Sequence, residues 1–126
     1  MRQMYAACHV VIVPTTAAFV EGFNQVVVEA VLSGRPVIAS SVCPALAYVR
    51  EAVIEVAPGD VKGYASAVLR LRDEPGLRER MAKSCEGLKT QFLDVQRGWA
   101  GAFRHVVRAF QTGRRPSEVS WLQRPN

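Results

Sequence analysis

Three short β-branched runs set the terms for any fold this chain can adopt: HVVIVP (9–14), PVIAS (36–40) and, more weakly, VIEVA (53–57). They are near-continuous rather than alternating, and a proline closes the first, which is the pattern of strands buried on both faces. Between the first two lies FVEGFNQVVVEAVLSGR, whose Val26 to Val28 favour a strand by propensity. Its end decides otherwise. Ser33-Gly34-Arg35-Pro36 puts glycine at the C′ position of a helix and proline two places on, so 23–33 reads as a buried helix with a capped end. With a further helix over 45–52, the order strand, helix, strand, helix, strand predicts an α/β fold on a parallel sheet.

After APGD the period becomes helical. Asp60 is the expected N-cap of a helix carrying Val61, Tyr64, Val68 and Leu71 on one face; Leu77, Met81, Cys85, Leu88 and Phe92 follow on a second that opens with Pro75. A third begins near Asp94, and its stripe of Val95, Trp99, Phe103, Val106 and Phe110 is expected to pack into a core. The end of the chain, TGRRPSEVSWLQRPN, lacks periodicity, which predicts a domain over 1–112 and a disordered tail over 113–126. At the other end, MRQMYAAC reads as the last two turns of a helix feeding the first strand. The chain is therefore expected to open inside a βα unit, with a sheet that is half of a doubly wound one.

A length of 126 residues suits one core. No apolar run approaches the ~18 residues of a membrane-spanning helix, and His9 and Pro14 interrupt the stretch that would otherwise imitate a secretion signal. Cys8, Cys43 and Cys85 are odd in number and lack the paired spacing of a zinc site, which fits a reduced, cytoplasmic setting. The net charge of +5 suits an acidic partner such as a nucleotide phosphate or an anionic membrane face. Lys and Arg are scattered and no nucleic-acid motif occurs, which argues against nucleic acid. Trp121 and the tail arginines are candidates for a peripheral membrane contact.

In the otherwise apolar 19–40 stretch stand two acidic residues, Glu21 and Glu29, with seven residues between them. Ligands of open parallel sheets sit at the C-terminal ends of the strands, where Glu21 and Gly22 fall between the first strand and the next helix. That helix's N-terminus can face an anion with free N–H groups. An ionised carboxylate only accepts hydrogen bonds, and neighbouring sugar hydroxyls supply donors in pairs. A ligand with phosphates flanked by two sugars, a nucleotide sugar, fits this placement.

YAACHVVIVPTTAAFVEGFNQVVVEAVLSGRPVIASSV resembles the second nucleotide-binding domain of the group 1 glycosyltransferases, retaining enzymes of GT-B fold. The signs are the two glutamates, Gly-Phe after the first, a Glu-Ala pair, and Gly-x-Pro-Val before the next strand, in that order; the likeness covers about residues 4–92, through APGD and LRDEPGLRERM. It implies a Rossmann-like half-domain with Glu21 near the transferred sugar as the catalytic residue. Gly22 and Phe23 form a turn whose N–H groups meet sugar hydroxyls and diphosphate, Asn24 and Gln25 are further substrate contacts, and Glu29 binds the nucleotide ribose. The same resemblance implies no metal or other cofactor, since basic side chains and a helix N-terminus offset the leaving diphosphate's charge. Transfer proceeds with retention, most often described as a front-face reaction, with Glu21 positioning and stabilising rather than attacking.

The implied partners are a UDP- or GDP-sugar donor, a glycan or lipid-linked acceptor, and an N-terminal half or partner chain carrying the family's diphosphate-binding Arg and Lys. Three departures stand out: Asn24 replaces a second glycine, His9 an aspartate before the strand, and SVCPAL (41–46) a glycine-rich turn on the donor side. A nucleotide-sugar epimerase of the same fold and a non-catalytic subunit of a split GT-B enzyme remain as alternatives, separable by sugar transfer to an acceptor or by interconversion without one.

Overall fold

The computed structural model describes residues 2–19, 21–95 and 98–113. The chain divides into two compact units, Met1–Lys89 and Thr90–Asn126. Of the expected disordered tail only Gly113 is described; the rest, with Trp121, lies outside the described residues.

The first unit begins with α1 (Arg2–Ala7), β1 (Val11–Val13), α2 (Gln25–Leu32) and β2 (Val37–Ser40). It continues through α3 (Leu46–Val49) with a 3-10 turn (Arg50–Ala52), β3 (Val53–Val56), α4 (Val61–Asp73) and most of α5 (Leu77–Leu93), which runs past the unit's last residue, Lys89. The three strands form one parallel sheet in the order β1-β2-β3, with Val11 opposite Val37 and Val37 opposite Val53. The α/β reading therefore holds, and the valine run 26–28 is helical.

The cap of α2 explains that outcome. Gly34 sits at φ +71°, its N–H reaching the Val31 carbonyl at 2.9 Å while the Arg35 N–H reaches that of Ala30 at 2.9 Å. This paired pattern is the Schellman motif, and it stops the helix just before Pro36. Arg35 then donates through Nη2 to the Ala6 carbonyl at 3.0 Å, tying α1 to the same corner.

Helices cover both faces of β2, every residue of which is buried. Ile38 joins Val56, Ala67, Leu71, Leu77 and Met81 in a core beneath α4 and α5, while Val37 and Ala39 alternate to the side where α2 packs. Sequence periodicity placed Val61 and Val68 on the inner face of α4, yet both are exposed. The face that packs against β2 and β3 is Tyr64, Ala67 and Leu71, and Asp60 caps the helix through its carboxylate on the Gly63 N–H at 2.9 Å. Gly63 itself must be small: a Cβ there would lie 2.8 Å from the Val56 side chain.

β1 departs from expectation. It is three residues long rather than six, and Ile12 is 46% exposed, so it is not a strand buried on both faces. It pairs with β2 alone and forms an edge, so one side of it has no neighbour among the described residues. Val37 and Ile38, by contrast, keep their cover and are wholly buried.

The second unit carries α6 (Trp99–Gln111). Its apolar stripe was expected in a core, but Trp99 is 81% and Phe110 84% exposed, with Val95, Phe103 and Val106 exposed as well. The helix instead buries small residues, Gly101 and Ala109, and the Trp99 and Phe103 rings stack on each other with centroids 5.4 Å apart.

Candidate functional site

β1 and β2 both end at the same edge of the sheet, and the polar residues that follow them meet there. Pro14 stops β1, and Thr15 then directs its hydroxyl onto Glu21, donating to Oε2 at 2.9 Å. The Cys43 thiol, from the turn after β2, donates to the same Thr15 oxygen at 3.4 Å. Asn24, the N-cap residue of α2, donates its Nδ2–H to the same Oε2 of Glu21. Two donors on one oxygen hold the carboxylate in a single orientation and leave Oε1 without a partner among the described residues.

Asn24 is 1% exposed and its Oδ1 has no hydrogen-bond partner among the described residues. An N-cap asparagine ordinarily uses that oxygen to accept from the second or third N–H of its helix, worth about 1 kcal/mol. Here it makes no such bond. The charged carboxylate outcompetes the cap, since hydrogen bonds to charged groups are worth about 1.5 to 3 kcal/mol against about 1 for neutral ones. The N–H groups of Val27 and Val28 turn to the Asn24 backbone carbonyl, at 3.1 and 3.3 Å, and those of Gln25 and Val26 make no hydrogen bond among the described residues. Open N–H groups at a helix N-terminus form an anion seat.

The other predicted residues surround this centre. Gly22 and Gln25 are exposed, and Gly22 has open space where a Cβ would stand. Phe23 is exposed and meets the Tyr48 ring edge-on at 5.8 Å. Glu29, one turn on from the N-terminus of α2, is half-buried and accepts at Oε2 from the Tyr5 hydroxyl at 2.9 Å. Burial, then the Glu29 hydrogen bond and charge, push the Tyr5 phenol above its ordinary value. The structure thus joins Glu21 to Asn24, while Glu29 is held separately by α1.

Sequence reasoning passed over Thr15, Tyr5 and Cys43. Thr15 carried a usable signal, a hydroxyl directly after the proline that ends a parallel strand; Cys43 lies in the 41–46 turn already singled out on the donor side, though not as a site residue, and Tyr5 carried no signal, because its partner lies 24 residues away. Deeper in, Ser40 Oγ and the Tyr64 hydroxyl are buried without a well-formed hydrogen bond, and Tyr64's pKa is raised chiefly by burial and lowered in part by its neighbour Ser40. A cavity of about 260 Å³ along β3 and α4, lined by Glu55, Asp60 and Arg70, includes none of the predicted site residues. No group of three or more potential metal-ligating side chains occurs among the described residues.

The arrangement places an oriented carboxylate beside an open helix N-terminus, with a second carboxylate further along the same helix. It can receive hydroxyls and an anionic group together. A family model described as glycosyl transferases group 1 matches residues 1–74, from α1 to the end of α4. No curated protein and no solved structure matches the chain.

Proposed function

The chain belongs to the group 1 glycosyltransferases, and on that premise we propose that it holds the sugar and ribose side of a nucleotide-sugar site. The donor is a UDP- or GDP-hexose. Glu21 receives hydroxyls of the transferred sugar, the Gly22-Phe23 turn with Asn24 and Gln25 borders sugar and diphosphate, and Glu29 takes the ribose hydroxyls. Transfer retains anomeric configuration, with the leaving diphosphate helping to deprotonate a glycan or lipid-linked acceptor and Glu21 stabilising developing charge. This is polysaccharide-building chemistry at a cytoplasmic site, peripheral to the membrane where the acceptor is lipid-linked. The observation that carries the reading is the Glu21 carboxylate, oriented by Thr15 and Asn24, next to the open N–H groups of Gln25 and Val26.

The basic ligands for the diphosphate and the acceptor domain come from an upstream half or a partner chain, so the isolated chain turns over no sugar nucleotide. In the completed enzyme, loss of hydrogen bonds to a charged group, about 1.5 to 3 kcal/mol, makes Glu29→Ala raise the Kd for the nucleoside diphosphate about tenfold to a hundredfold. Glu21→Gln lowers kcat more than affinity. Calorimetric titration and initial rates test this. Unchanged affinity in Glu29→Ala, or turnover by the isolated chain above a Glu21→Ala control, overturns the reading.

A further inference from the structure

The first helix of the site and the one after β3 begin with nearly the same backbone and end differently. Asp60, at φ −81° and ψ 81°, caps α4 by accepting the Gly63 N–H at 2.9 Å. Asn24, at φ −72° and ψ 88°, makes no side-chain cap at all, although asparagine is among the best capping residues. Its Nδ2 is bound to Glu21, its Oδ1 is buried without a partner among the described residues, and the N–H groups of Gln25 and Val26 stay open.

We propose that Glu21 holds Asn24 off the N-terminus of α2, so that Asn24 is a positioning residue with two settings, clamped on the carboxylate or capping the helix, and only the clamped setting leaves the Gln25 and Val26 N–H groups both open to phosphate. Asn24 stands beside the anion seat with its Nδ2 turned to Glu21. Its other polar atom, Oδ1, is an acceptor, which repels phosphate. Released from Glu21, the carboxamide can cap α2 through Oδ1 on the second or third N–H of the helix, Val26 or Val27; Asp60 takes the third, that of Gly63, from nearly the same backbone. A cap on Val26 removes one of the two open N–H groups from an anion. The identity of that anion as the leaving diphosphate rests on the function proposed above; the clamp itself does not.

The consequence has an unusual sign. Removing a carboxylate from beside an anion seat should strengthen anion binding on charge grounds alone. The clamp reverses this: Glu21→Ala frees Asn24 to cap α2 and weakens binding of inorganic pyrophosphate by about three- to tenfold, the cap's typical worth of about 1 kcal/mol or somewhat more. Adding Asn24→Gly, which removes the capping group, restores the affinity. Glu21→Gln, whose side-chain carbonyl also accepts from Asn24, keeps most of it.

The test uses the full chain, with wild type, Glu21→Ala, Glu21→Gln, Asn24→Gly and the Glu21→Ala/Asn24→Gly double variant. Pyrophosphate is titrated by NMR and amide exchange is read at Val26 and Val27 without ligand. Slower exchange at these amides in Glu21→Ala, reversed in the double variant, together with recovered pyrophosphate affinity, is the expected result. Equal exchange in wild type and Glu21→Ala, or stronger pyrophosphate binding in Glu21→Ala, overturns the clamp. Should the exchange pattern hold while wild type binds no pyrophosphate, the clamp stands and the nucleotide-sugar reading loses its phosphate seat. If Glu21→Ala does not fold, Glu21→Gln against Glu21→Leu supplies the same comparison.

Discussion

Tyr5 reaches Glu29 from the helix that precedes the sheet, so one hydroxyl sets the rotamer of a carboxylate 24 residues away. Tyr5→Phe keeps the ring in its buried place and removes only the donor, which is expected to cost about 1 kcal/mol at neutral pH. The phenol's pKa is raised above 10.0 by burial first and by Glu29 second, so folding favours the protonated form. Its contribution is complete below the unfolded pKa near 10 and is lost as pH rises through the higher folded value. Urea titrations at pH 8 and pH 11 should therefore show the stability gap between wild type and Tyr5→Phe shrinking or reversing at the higher pH. A gap unchanged between the two would mean that the tyrosine proton plays no part. The carboxylates themselves were legible in the sequence because an acidic side chain in an apolar stretch needs a reason; the partner of Glu29 was not, since a hydrogen bond to a residue 24 positions away leaves no trace in local spacing.

At the scale of elements, two positions decide where helices start and stop. Asp60→Ala removes the carboxylate that accepts from the Gly63 N–H and is expected to cost about 0.5 to 2 kcal/mol, with Asp60→Asn recovering most of it. Gly34→Ala forces a Cβ into the left-handed region at φ +71° and should cost about 1 to 2 kcal/mol. That Cβ would stand 3.6 Å from the Glu86 carboxylate, an ordinary contact, so the penalty is conformational and not steric crowding. Shifts in the urea midpoint at constant slope check both, and a neutral Gly34→Ala would show that the cap is not what ends α2. These caps were readable beforehand because each depends on residues within three or four positions of the helix end. The inward face of α4 was misread for the complementary reason: Val61 and Val68 share a helical face, but only contact with β2 and β3 selects the Tyr64, Ala67, Leu71 face.

For the whole molecule, the exposed surface carries the consequence. Ile12 lies open on an edge strand that has pairing capacity on one side among the described residues. Such edges recruit other chains. The protein alone is therefore expected to self-associate at high concentration, and Ile12→Lys, a charge at the centre of β1, should reduce that association without altering the β1-β2 register. Light scattering over a concentration series reads it. A clean monomer in the wild type would show that the edge is inert, and association unchanged in Ile12→Lys would move the adhesive surface elsewhere, the aromatic stripe of α6 being the next to test by Phe110→Lys.

What the sequence determined by itself is the order and kind of the elements: three β-branched runs, the glycine and proline that end α2, and the aspartate that begins α4 all act over a few residues. It also placed Glu21 after the end of the first strand, where the strand–helix alternation puts ligand loops, and Glu29 a turn into the next helix. Only the tertiary structure decided that β2 lies between its neighbours and is buried throughout while β1 is an exposed edge, and that the stripe of α6 is exposed. It likewise decided that Glu29 is held by Tyr5, 24 residues away. Propensity and capping are energies between near neighbours in the chain, whereas burial and long-range hydrogen bonding depend on which surfaces and groups the completed fold brings within a few ångströms.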